Sequence, residues 1–183
     1  MQFRFQLNKA LQAAGVLLEY EKSRRMSYMR LVKLLYVADR ESLAETGRPI
    51  TGDHAFAMKR GPVLSHVYAL IRGQAARAGE WDRFVHTDRY EVELVADPGR
   101  GELSKGEVAK LLAVSQRYRD LDEWELSDVT HDFAEWRKHF PGGNGVGDIP
   151  WEDALAAQGR GELAAAIEQD EADRRFFDQL FGE

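Results

Sequence analysis

Asp128 and His131 stand three residues apart, with Asp132 adjacent and His139 downstream. A carboxylate and an imidazole on one helical face are the raw material of a metal-dependent hydrolase. Such a site needs at least three converging ligands, however, and fixed spacing on one element supplies only two. The competing reading has His131 satisfying a helix end in the Ser127-Asp-Val-Thr130 turn. Asp53, His54 and His66 offer a second acid–base grouping. A general base needs a nucleophile or substrate within reach, and Ser65 does not sit in a G-x-S-x-G elbow. Asp53 therefore reads as a turn cap, with Ser65 and His66 on a helix surface. The loop Pro141-Gly-Gly-Asn-Gly-Val-Gly147 invites a phosphate-cradle reading, which fails on spacing because the residue three beyond Gly145 is Asp148. It is preceded by the polar Trp136-Arg-Lys-His139 and not by a buried strand, so it reads as a connector. No catalytic residue, metal or cofactor is assigned, and the chain is not read as an enzyme.

Three further groups suit contact better than reaction. Asp39-Arg40 closes an apolar run, where an Arg typically bridges elements by bidentate pairing. Lys59-Arg60 precedes Gly61 and is placed to grip an acidic partner, or simply to be solvated. Phe176, Phe177, Leu180 and Phe181 put four large apolar groups into six residues. Something must cover them; docking onto the chain's own core is the expectation, a partner or second copy the alternative.

The elements that carry these residues follow from periodicity and punctuation. A helix is predicted over Leu7 to Tyr20, and a second, the central one, over Tyr28 to Thr46 with Ser27 as its cap and Gly47 as its left-handed stop. Arg48-Pro49-Ile-Thr-Gly52 turns the chain, with Gly52 free to take positive φ. His54 to Lys59 reads as a strand. Gly61-Pro62 is expected to end it and to put Pro62 in the first turn of a third helix that stops at Gly73. Trp81–Val85 and Tyr90–Val95 read as a hairpin joined by His86–Arg89. Ser104 and Glu107 have capping-box spacing. One or two short helices are expected over 121–140, another from Pro150 through Leu155, and a helical tail from about Glu162. The fold class is α+β, a predominantly helical single domain with one small antiparallel sheet of about three short strands.

Composition narrows the function. With 25 Lys+Arg against 31 Asp+Glu the net charge is −6, which disfavours a general nucleic-acid binder. An apolar content of 44% over 183 residues supplies one domain's core. There is no cysteine, hence no disulfide or thiolate chemistry. The N-terminus lacks a signal-peptide run, and no apolar stretch approaches the roughly 20 residues of a membrane span. A cytoplasmic location is expected.

The stretches Lys33-Leu-Leu-Tyr-Val-Ala-Asp-Arg40, Gly47-Arg-Pro-Ile-Thr-Gly-Asp53 and Ala57-Met-Lys-Arg-Gly-Pro-Val63, with Ser65 and Tyr68, resemble the antitoxin SocA-like Panacea family. Glu125-Leu-Ser-Asp-Val-Thr-His131, Trp136 and Ile149-Pro-Trp-Glu-Asp153 resemble its second half, so that the likeness covers most of residues 7–160. The resemblance implies a phage- or bacterium-borne antitoxin that binds and neutralises a cognate protein toxin encoded beside it. It does so by occlusion or as an adaptor to an ATP-dependent protease such as ClpXP. The family motif positions Asp39, Arg40, Gly47, Pro49, Gly52, Asp53, Gly61 and Pro62 read as structural. Lys59, Arg60, His66, Phe177 and Phe181 are the candidate partner contacts. Residues 1–160 are taken as the antitoxin domain and 161–183 as a helical extension packed on it. The rival functions are a metal-dependent hydrolase using Asp128, His131 and Asp132, and a DNA-associated autoregulator.

Overall fold

In the computed structural model, which describes residues 1–181, the two strongest helical patterns form where periodicity places them. Helix α1 runs Leu7–Tyr20 and α2 runs Tyr28–Thr46. α2 is the central element, packed against α1 and against later elements as far along the chain as Trp151–Ala157. Its buried face includes Leu31, Leu34, Leu35, Tyr36 and Ala38. Gly47 ends it in the left-handed conformation, φ +79°. Ser27 stands at the cap position, but its side chain makes no capping bond.

The short strands depart from expectation. They form two three-stranded antiparallel sheets and not one. In the first, β1 (Arg25–Ser27) pairs with β5 (Glu91–Leu94), which pairs with β4 (Val85–Asp88). In the second, β2 (Ala55–Met58) lies between β3 (Gly61–Leu64) and β6 (Gly147–Ile149). Gly61-Pro62 therefore does not open a helix. Gly61, at φ +98°, turns the chain into β3, and Pro62 faces Ala57 across the hairpin. Pro62 is tolerated because β3 is an edge strand, where no partner needs its missing N–H.

Helix α3 starts only at Ser65 and runs to Ile71, with Gly73 at φ +68° just beyond it. Trp81 is likewise not in a strand. It lies in the short helix α4, Ala78–Asp82, and is fully buried, so the β4–β5 hairpin begins at Val85 and turns at Arg89-Tyr90.

Ser104 and Glu107 make the expected reciprocal capping box for α5, Lys105–Arg117. Asp122 and Glu125 make a second one for α6, Glu123–His131. Helices α7 (Ala134–His139) and α8 (Trp151–Ala157) follow, then a 3₁₀ turn, Gly161–Leu163, and α9 (Ala164–Phe181). Two indoles bracket the second sheet: Trp136 donates to the Met58 carbonyl at 2.9 Å, and Trp151 to the Asp53 carbonyl at 3.0 Å. Among the described residues no helix is long and apolar enough to cross a membrane.

Helix α9 is anchored at its start. Ile167 is buried, and Arg48 pairs with Asp170 and Glu171. Its far end does not dock: Phe176, Phe177, Leu180 and Phe181 stand 56–76% exposed. The expectation that this patch closes on the core is thereby overturned. The helix extends beyond its anchor, where Phe177 lies against Phe176 and Phe181, with ring centroids 6.1 and 6.2 Å away.

Candidate functional site

Asp39, Arg40 and Asp53 each tie one element of the fold to another. Asp39 is fully buried and accepts from the Thr51 backbone N–H at 3.0 Å and from the Thr51 hydroxyl. It thereby ties α2 to the turn containing Pro49 and Gly52. Burial pushes its carboxyl up to about 7 against the opposing pull of those hydrogen bonds. Arg40 donates to Glu135 of α7 at 2.5 and 3.3 Å.

Asp53 does more than cap a turn. Its carboxylate accepts from the backbone N–H groups of His66 (3.0 Å) and Val67 (2.9 Å), which makes it a remote N-cap for α3. It also accepts from Ser65 Oγ at 3.2 Å and contacts His66 Nδ1 at 2.6 Å. Ser65, His66 and Asp53 are thus adjacent without forming a nucleophilic triad. In a triad the acid and the hydroxyl occupy opposite ring nitrogens, whereas here both lie on Nδ1, Ser65 at 3.4 Å.

His131 Nδ1 lies 3.9 Å from Asp128, but Asp128, His131 and Asp132 do not make a three-ligand set. Asp132 pairs with Arg137, Asp128 is exposed, and His131 stacks on Trp136 with ring centroids 4.2 Å apart. Desolvation, with the positive charge of Lys33 next, lowers the His131 pKa. No group of three or more His, Asp or Glu among the described residues is arranged to hold a metal ion.

The expected contact residues fall in different places. Lys59 and Arg60 form the β2–β3 turn, while His66 sits beyond the other end of β2, stacked on Phe5 at 4.7 Å. A four-residue strand separates the two ends by about 13 Å. Lys59 and Arg60 line a groove of about 660 Å³ to which His66, Phe177 and Phe181 contribute nothing.

That groove is what reading from sequence missed. Its walls include Tyr28, Tyr68, Tyr90 and Trp124, and Lys33 lines its base. Tyr28 packs between Tyr68 and Tyr90, ring centroids 6.3 and 6.4 Å away. Arg60 lies over the Trp124 ring at 4.3 Å, a cation–π contact on the rim. Lys33 is 1% exposed and donates to the Pro62 carbonyl at 3.0 Å. It has no carboxylate within ion-pairing distance among the described residues. Burial therefore lowers its pKa to about 7. Gly61 makes room for it, since a Cβ there would fall 2.9 Å from Lys33 Cε. A lysine in the middle of the run Leu31-Val-Lys-Leu-Leu35 is the one sequence signal that points here.

No curated protein and no solved structure matches the chain. A family match does exist, to "Antitoxin SocA-like, Panacea domain", over residues 31–137. It is narrower than the likeness over 7–160 read from the motifs, and leaves α1, β1, β6 and everything after residue 137 outside. It contains α2 from Leu31 onward, both strands of the β2–β3 hairpin, α3, α5 and α6, and with them Lys33, Lys59, Arg60, Tyr68 and Trp124 of the groove. Spanning more than half of the sequence, that match makes the chain a member of the antitoxin SocA-like, Panacea domain family.

Proposed function

We propose that this protein neutralises a protein toxin by binding it, the toxin being the product of a neighbouring reading frame, and that it does so in the cytoplasm without bond-making chemistry of its own. The observation that carries the reading is family membership over residues 31–137. Two features support a contact role: the aromatic groove with its basic rim, and the exposed apolar end of α9. Residues 1–160 serve as the antitoxin body and 161–183 as its helical extension. A stable inhibitory contact buries about 1,200–2,000 Å² and is anchored by a few Tyr, Trp or Arg residues. Tyr90, Trp124 and Arg60 are of those types and stand on the groove's rim.

Induction of the adjacent reading frame alone is expected to arrest growth, and co-expression of this chain to restore it. A harmless neighbour, or arrest that persists while both proteins are soluble, rejects the reading. Toxin abundance separates the two routes to rescue. Occlusion leaves the toxin level unchanged, whereas hand-over to an ATP-dependent protease such as ClpXP lowers it in a protease-dependent way.

A further inference from the structure

A buried ammonium is costly to keep without a counter-charge. Lys33 has three donors, and its one hydrogen bond among the described residues goes to the Pro62 carbonyl, while its methylenes are packed against Gly61. The groove above it is more basic than acidic: Lys33, Lys59 and Arg60 face the single carboxylate of Glu123. On a chain whose net charge is −6, this local reversal of sign selects for an anionic visitor. The walls add a second requirement. Tyr28 and Tyr68 are half-buried, whereas Tyr90 and Trp124 are 74% and 51% exposed and extend the aromatic surface outside the cavity. A small ligand would be engulfed and leave those faces uncovered; a protein segment lying along the groove covers them.

We propose that this groove receives a segment of the neutralised protein in which a carboxylate side chain stands beside an aromatic or branched apolar residue, the carboxylate reaching Lys33 and the apolar group lying between Tyr68 and Trp124. The identity of the partner rests on the antitoxin reading; the chemistry of the groove does not. Lys59 and Arg60 steer the acidic segment to the mouth, and Lys33 supplies the one charge contact shielded from water.

The test uses the full chain and two blocked pentapeptides, acetyl-Gly-Phe-Asp-Leu-Gly-amide and its Asn counterpart, titrated at pH 6.5 while amide and indole NMR shifts are followed. The Asp peptide is expected to bind at least tenfold more tightly than the Asn peptide and to move the Gly61 amide and the Trp124 indole. The preference should weaken as the pH passes 7, where Lys33 loses its proton; the other charged groups lining the groove are Lys59, Arg60 and Glu123, and the His131 pKa is lowered by desolvation and by the charge of Lys33 itself. Lys33→Met should abolish the preference. Trp124→Ala, on an exposed rim where folding is not at stake, should weaken both peptides. Equal binding of the two peptides, shifts centred on another face, or a preference surviving in Lys33→Met overturns the proposal. So does a wild-type dimer that dissociates on Trp124→Ala, because the occupant is then a second copy. In cells, if wild type rescues from the neighbour's toxicity and folded Lys33→Met and Trp124→Ala rescue equally well, this groove is not the toxin contact although the antitoxin reading stands. A neighbour that is not toxic rejects that reading and leaves the peptide result to be judged alone.

Discussion

Arg40 and Glu135 join the central helix to α7 through two N–H···O contacts at 2.5 and 3.3 Å, and Tyr36 donates to the same carboxylate at 3.0 Å. Glu135 is 1% exposed, and Arg40 also lies over the Phe133 ring at 4.3 Å. Removing one partner of a buried pair leaves the other charge unmatched, which typically costs about 3–5 kcal/mol. Glu135→Ala is therefore expected to lower the unfolding free energy obtained from urea titration by that much, and Glu135→Gln by less because it keeps an acceptor for Tyr36. An alanine variant within 1 kcal/mol of wild type would show that the pair holds nothing together.

Asp53 should prove the most sensitive position of the turn. Asp53→Ala strips the cap from α3 together with the Ser65 contact, at a cost of about 2–3 kcal/mol. In a chain of this length that corresponds to a fall in Tm of roughly 5–10 °C. Asp53→Asn should recover part of it. A differential scan of the three proteins decides, and an unchanged Tm in Asp53→Ala refutes the remote-cap assignment.

Asp39 gives stability an inverse pH dependence. Its ordinary value is 3.8 and burial raises it to about 7 in the fold. Between these values the folded state holds a proton that the unfolded chain has released. The contribution is thus complete below pH 3.8 and is lost as the pH rises through 7. Asp39→Asn is expected to flatten the stability profile across that window; parallel profiles for variant and wild type would contradict it.

Lys33 acts in the adjoining window with the opposite slope. The unfolded chain holds the lysine proton up to 10.5, while the folded chain releases it near 7. Stability therefore gains on the order of a few kcal/mol as the pH climbs from 7 to 10.5 and loses it again on acidification. Lys33→Met should remove this rise and raise the unfolding free energy at pH 6.5, measured by urea titration at four pH values. A destabilised variant with the slope intact would mean that Lys33 is not the titrating group.

Helix α9 should divide into two energetic halves. Ile167→Ala removes a buried side chain and is expected to cost about 2 kcal/mol or more. Phe177→Ser and Phe181→Ser alter exposed positions and should fall within about 0.5 kcal/mol. If the Phe variants instead destabilise the isolated chain strongly, that patch is covered in solution.

What could be read in advance followed the strength of each local signal. Helices α1 and α2 were legible to the residue because Leu7, Leu11, Leu18, Leu31 and Leu35 repeat along one face and Gly47 stops the run. The capping box at Ser104 was equally plain. The second capping box, at Asp122, went unread. The short strands were not legible. β1 has three residues, too few for an alternation, and β3 is buried at all four positions and so has no period of two. β6 emerges from a glycine run that reads as a loop. Trp81 has strand propensity but is held in a helix by tertiary packing. The groove escaped because its walls come from Tyr28, Tyr68, Tyr90 and Trp124, which only the fold assembles, and the expected contacts Lys59 and His66 were grouped by nearness in sequence although β2 holds them apart.

The two indole bonds that bracket β2 reach it from either side of the family boundary: Trp136 lies just inside residue 137, and Trp151 and the pairing strand β6 lie outside. A fragment cut to 31–137 would expose one flank of β2 as bare backbone, an invitation to intermolecular pairing. Anyone transplanting this module onto another scaffold must carry the chain along at least through Trp151.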